Sequence, residues 1–189
     1  MPLSPKGIPY IPDGYGPASQ PPKPRSLVAQ AVLFVLVFVV LQAGYSAVRE
    51  TWVERLLIDT LTVKTAAAVI NTITPDVSVV ASGTRLKASG GGINILNGCE
   101  GTEVLFLLVA AFVAFPLHWR IKLLGLLSGV GFVFVLNELR ILALFYAFRR
   151  DPSLFDLLHT IVAPVILIAL TTLFFYAFLH TQQTTHRCP

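Results

Sequence analysis

The sequence predicts an all-α, polytopic membrane protein with about four transmembrane helices. An amphipathic helix and a small segment with a β-hairpin are expected outside the bilayer, between the first two spans. Three observations carry this prediction. Hydrophobic residues make up 54% of the 189 positions, and charged residues only 13%. Mean hydropathy is +0.73. A soluble domain carries roughly 25% charge, about twice as much. The few charges are also bunched, which leaves long apolar runs between them. A soluble enzyme, a disordered chain and a disulfide scaffold are excluded on these grounds. The net charge of +4 does not indicate nucleic acid, because the basic residues flank apolar runs and form no single soluble face.

Residues 1–26 are rich in Pro, Gly and Ser with Lys6, Lys23 and Arg25, the composition of a disordered, weakly basic tail. Residues 27–48 form an apolar run long enough to span a bilayer. The polar lead before it is long for the n-region of a signal peptide, so the run is expected to remain as a first transmembrane helix. Residues 49–98 are expected to form an amphipathic helix plus a small extramembrane segment. Trp52, Val53, Leu56, Leu57 and Leu61 recur at helical spacing among Glu54, Arg55, Asp59 and Lys64. That helix belongs on the membrane surface or against the other spans. Val77 to Ala88 reads as a hairpin around Ser82-Gly83-Thr84.

Residues 99–180 are expected to hold three further spans, and residues 181–189 a short tail. The apolar core of the second span, Val104 to Phe115, covers only about 18 Å at 1.5 Å per residue. A hydrocarbon core is about 30 Å thick, so this helix is expected to start near Cys99 and to carry Glu100 and Glu103 into or beside the membrane. His118-Trp119-Arg120 and Lys122 make an interfacial turn. The third span runs from about Ile121 to Phe148, interrupted by Asn137-Glu138-Leu139-Arg140. The fourth runs from about Asp156 to Leu179, with Pro164 as a kink.

This topology brings Cys99, Arg140 and His159 to one membrane face. Arg140 lies some 18–20 residues past the turn at 118–122, roughly 27–30 Å higher. His159 opens the span that follows. The three side chains make a chemical set. A thiolate is a nucleophile whose pKa falls beside a cation or a helix N-terminus. An imidazole moves protons near neutral pH, and a permanently charged guanidinium suits an oxyanion. Each residue also has a simpler reading. Cys99 could be a small buried hydrophobe and His159 an interfacial histidine. Arg140 could snorkel or pair with Glu103, and Asn137, one turn before Arg140, could hydrogen-bond between helices. On the residues alone, a thiol active site and a non-catalytic subunit glued by polar contacts both stay open. A transporter or channel fits less well, because the polar residues gather at one end and no inverted repeat is seen.

The strings Asn97-Gly98-Cys99-Glu100-Gly101, Asn137-Glu138-Leu139-Arg140-Ile141 and Leu157-Leu158-His159 together resemble the exosortase/archaeosortase family. The resemblance covers about residues 93–180 and is strongest to compact members such as exosortase H. It implies a membrane-embedded cysteine protease or transpeptidase, with Cys99 as nucleophile and Arg140 and His159 completing the catalytic set. Glu103 and Asn137 stand as supporting residues. It implies no metal or cofactor. The implied partners are exported proteins whose C-terminal tail has a short motif, an apolar helix and a basic cluster. The implied location is a prokaryotic inner membrane, with the site on the extracytoplasmic face. Lys and Arg counts on the two sides are nearly balanced, and the basic turn at 118–122 favours that orientation.

Overall fold

The computed structural model describes residues 26–48, 51, 62–89, 91–95 and 101–185. Cys99, Glu100, Cys188 and most of the amphipathic stretch expected after residue 49 lie outside the described residues.

Helix α1, Leu27–Ala47, begins where the Ser26 hydroxyl accepts the Ala29 amide proton at 3.2 Å. It is apolar all round and exposes most of its side chains, as a helix facing lipid does. Near its other end Tyr45 is buried and meets Phe106 edge-on, with ring centroids 5.7 Å apart.

Helix α2, Lys64–Ile73, buries Ala66, Ala67 and Ile70 on one side. Three short strands follow: β1 Val80–Ser82, β2 Arg85–Lys87 and β3 Ile93–Asn94. They form one antiparallel sheet in the order β1-β2-β3, with Ala81 opposite Leu86 and Leu86 opposite Ile93. The hairpin expected over 77–88 is thus present in trimmed form, and β3 adds a strand. Asn71 clamps α2 to the sheet, donating to the Val79 carbonyl at 2.8 Å and accepting from its amide at 2.7 Å. Gly92 is required here, because a Cβ on it would strike the Leu86 carbonyl oxygen.

Helix α3, Thr102–Ala114, is followed by α4, Trp119–Arg150. The final span comprises α5 Pro152–Leu157, a π-helical turn Leu158–Val162, and α6 Ala163–Thr185. Among the described residues, three helical stretches are long and apolar enough to cross a membrane: 27–47, 119–150 and 152–182. The 13 residues of α3 cover about 20 Å. The expected start near Cys99 is not where this helix begins. Gly101 adopts a left-handed φ of 77° at the N-cap, so the regular helix opens at Thr102. Phe115 and His118 are extended, and this linker supplies the reach that α3 lacks. Pro164 does not end its helix. A proline cannot donate to the residue four back and crowds that carbonyl. The preceding turn widens instead, with the Ala163 amide bonding the Leu158 carbonyl, five residues back.

Two cores organise the molecule. Outside the bilayer, α2 and the sheet close on the distal half of α4, burying Val63, Ile70, Leu86, Ile95, Ile141 and Phe145. Within the bilayer, Leu108, Phe112 and Val133 pack with Phe174, Phe175 and Phe178. Apolar burial drives the first core at about 1.5–3 kcal/mol per large side chain. In lipid that driving force is absent, and close packing over small residues replaces it. Gly125 and Gly129 of α4 provide the small surface. A Cβ on Gly125 would run into the Phe112 ring, and one on Gly129 would lie 2.6 Å from Leu108 Cδ2. Gly131 has open space around it.

Gly125→Ala is therefore expected to lower stability in SDS titrations of the detergent-solubilised protein by about 1–3 kcal/mol, the usual range for overpacking. Gly131→Ala is expected to leave stability unchanged or raise it slightly, because it meets nothing and removes helix-interior glycine entropy.

Candidate active site

The buried side of α4 recurs every four residues: Gly125, Gly129, Val133, Asn137, Ile141, Phe145. Five of these six belong to the cores or their glycine contacts, and Asn137 falls in the gap between the two cores. From Trp119 to Asn137 the helix rises about 27 Å, one hydrocarbon thickness. Trp119 is exposed at the start of α4 and carries Arg120 over its ring at 5.8 Å. The turn from Asn137 to Arg140 therefore lies near the opposite interface.

This turn is polar and starved of partners. Asn137 is 3% exposed and Glu138 7%. Among the described residues, Asn137 Oδ1, both Glu138 carboxylate oxygens and Arg140 Nε are buried without a hydrogen-bond partner. Leaving such a group unpaired costs about 1–3 kcal/mol. Three adjacent side chains carry this burden, which the cores on either side hold in place. Glu138 belongs to the polar interruption of the third span, yet sequence reasoning gives it no role of its own. The available signal was a carboxylate inside an otherwise apolar run.

The start of α3 is packed directly on this turn. A Cβ on Gly101 would lie 3.0 Å from both Cγ and Oδ1 of Asn137. The position thus needs glycine twice, for its left-handed φ and for the approach of Asn137.

His159 sits in the π-helical turn of the last span. Its ring stacks on Phe155 at 5.4 Å, nearly parallel at 3°. Both rings line a cavity of about 270 Å³ with Gly92, Ile93, Asn94 and Ile95 of the sheet edge and Ile141, Leu144 and Phe148 of α4. The wall is fixed from below by the start of α5. Asp151 accepts from the Ser153 amide and hydroxyl, each at 2.8 Å, with Pro152 in the first helical position. The Ser153 hydroxyl, foremost, holds the Asp151 carboxyl below the usual carboxylate range. On the other side Arg149 donates to the Ser89 carbonyl at 3.0 Å, tying the end of α4 to the sheet segment.

The sequence-derived candidates divide accordingly. Arg140 and Asn137 share one turn of α4, and the start of α3 abuts it. Ile141, next to Arg140, and His159 line the same cavity. Cys99 is outside the described residues. Glu103 is exposed in the first turn of α3, and no ion pair joins it to Arg140. Asn137 was expected to hydrogen-bond between helices; its Oδ1 packs on the Gly101 backbone and accepts no hydrogen bond among the described residues.

A bundle of membrane helices, one of them overlong, capped by a helix and a three-stranded sheet, with a partner-starved polar turn under the cap, defines a polytopic membrane protein. Residues 21–176 match the family described as transmembrane exosortase (Exosortase_EpsH), and the chain belongs to that family. No curated protein and no solved structure matches it.

Gly101→Ala is expected to lower stability by about 1–2 kcal/mol, the cost of a Cβ in the left-handed region. Adding Asn137→Ala clears the contact but leaves the backbone strain. The double variant should therefore remain less stable than Asn137→Ala alone in the same SDS titration.

Proposed function

We propose that the protein is a membrane-embedded cysteine protease or transpeptidase that cleaves the C-terminal sorting tail of exported proteins through a thioester on Cys99. The observation that carries this reading is the packing of Gly101 on Asn137. Cys99 precedes Gly101 by two residues, a reach of about 7 Å along the chain, and Arg140 lies one turn beyond Asn137. Family membership supports the class of chemistry.

In this mechanism the Cys99 thiolate attacks the carbonyl carbon of the scissile peptide bond, forming a C–S bond and a tetrahedral oxyanion. Arg140, whose Nε has no partner among the described residues, donates to that oxyanion. Collapse breaks the C–N bond, and His159 delivers the proton that the departing amine needs. Water or an acceptor amine then attacks the thioester carbonyl and releases the thiolate, with His159 taking the proton from the nucleophile. The substrate's apolar helix lies in lipid beside the spans, presenting its motif at the extracytoplasmic face of a prokaryotic inner membrane. The rival reading, a non-catalytic subunit, requires Arg140 neutralised by Glu103, and that pair is not formed.

Cys99→Ala and His159→Ala are each expected to abolish tail processing of a co-expressed substrate, read as a mobility shift on gels. Arg140→Ala should slow it about 10²–10³-fold, as loss of one oxyanion donor does. Arg140→Lys should rescue only in part, because a point charge lacks the planar fork. Full processing by the Cys99→Ala variant would overturn the mechanism.

A further inference from the structure

β3 is an edge strand. Among the described residues it pairs with β2 on one side only, and the sheet order ends with it. Its register tells which backbone groups are free. The Ile95 amide bonds the Thr84 carbonyl at 2.8 Å, so Ile95 and Thr84 form a hydrogen-bonded pair of the antiparallel ladder. Two residues back, Ile93 and Leu86 form the next such pair, and Asn94 opposite Arg85 is the intervening non-bonded one. The Asn94 amide and carbonyl therefore point away from β2, toward the open edge. The Asn94 side chain is engaged elsewhere, accepting from the Thr84 hydroxyl at 2.9 Å.

That edge borders the cavity that holds His159. Gly92, Ile93, Asn94 and Ile95 form one wall of it, and Leu144, Phe148 and Phe155 are among its apolar lining. At about 270 Å³ it accommodates one substantial side chain, and its wall offers carbon where a charged or small polar group would need partners.

We infer that this edge and cavity are the subsite for the cleaved motif: the substrate peptide adds to β3 as an extended strand, bonding the Asn94 backbone and lodging one large aliphatic or aromatic side chain against Leu144 and Phe148. The inference rests on the catalytic reading above, since it is the scissile peptide that is held beside His159. Main-chain bonds to an edge strand supply affinity without regard to sequence, and a pocket at alternate positions supplies selectivity. An extended strand also presents its carbonyls at fixed spacing, which aligns one bond with the catalytic groups.

The test uses the full-length protein, co-expressed with a reporter library. Each reporter ends in a randomised five-residue motif, a Leu/Ala transmembrane helix and an Arg-Lys cluster, and the released reporter ends are sequenced. Wild-type protein should enrich Leu, Ile, Met, Phe or Tyr at one motif position. Leu144→Ala, which enlarges the cavity, should shift that position toward aromatic residues. Leu144→Phe, which fills it, should shift it toward Val and Ala. Asn94→Pro removes the outward amide while leaving the β2 ladder intact, and should lower kcat/KM about tenfold, the upper range for one hydrogen bond. Asn94→Ala keeps that amide and should lose less activity than Asn94→Pro. Cleavage with no side-chain preference, or a preference unmoved by both Leu144 variants, would refute the subsite while leaving the thiol chemistry standing. No difference between wild type and Cys99→Ala across the library would refute the catalytic reading and this inference with it.

Discussion

Helix α4 is longer than a bilayer is thick, and the architecture follows from that mismatch. Its 32 residues extend about 48 Å against a hydrocarbon core of about 30 Å. One helix therefore passes through two solvents and must pack by two sets of rules. In lipid it presents Gly125 and Gly129, so that Phe112 and Leu108 can approach its backbone. In water it presents Ile141, Leu142 and Phe145 to α2 and the sheet, where apolar burial is the driving force. Neither set reaches across the boundary, and that is where Asn137, Glu138 and Arg140 lie.

A rigid continuous helix is a good carrier for such a turn. Buried polar atoms without partners would normally be relieved by a side-chain rearrangement or a local unwinding. Here the ladder of α4 is unbroken through the polar turn, because both flanks are anchored. The irregularity is displaced to the last span, where Pro164 widens the turn bearing His159. A π-helical turn re-aims side chains relative to a regular helix, and His159 and Phe155 reach the cavity together as a stacked pair. The second strained point is Gly101, whose left-handed backbone stops α3 against Asn137. Strain of this kind is carried by the surrounding structure and gathers at functional sites.

Much of this was legible in the residues. Apolar runs at 27–48, 121–148 and 156–179 located the spans, since nothing but a helix satisfies its own backbone in lipid. The hairpin was readable from Ser82-Gly83-Thr84 between apolar stretches. β3 was not, because two residues flanked by glycines carry no periodicity and only the Leu86 pairing makes them a strand. The start of α3 was misplaced for a similar reason. Hydrophobic thickness argued for a longer helix, while a contact with Asn137, 36 residues away in sequence, fixed a left-handed glycine there.

The candidate site shows the same division. Arithmetic on helix rise predicts one depth for Arg140 and His159, because covalent geometry fixes distance along a helix whatever its neighbours, and Ile141, next to Arg140, lines the cavity that His159 lines. It could not tell which polar groups would find partners. The pairing of Arg140 with Glu103 was reasonable by depth, yet Glu103 faces outward on α3, and rotation about a helix axis is set by packing. The sequence by itself determined the apolar, membrane-spanning character of the helices and the position of each charge along them, because these depend on composition and on distance along the chain. Only the tertiary structure decided that Glu138 is buried, that Gly101 meets Asn137, and that an open strand edge and His159 share one cavity. Those depend on which faces of separate elements are pressed together.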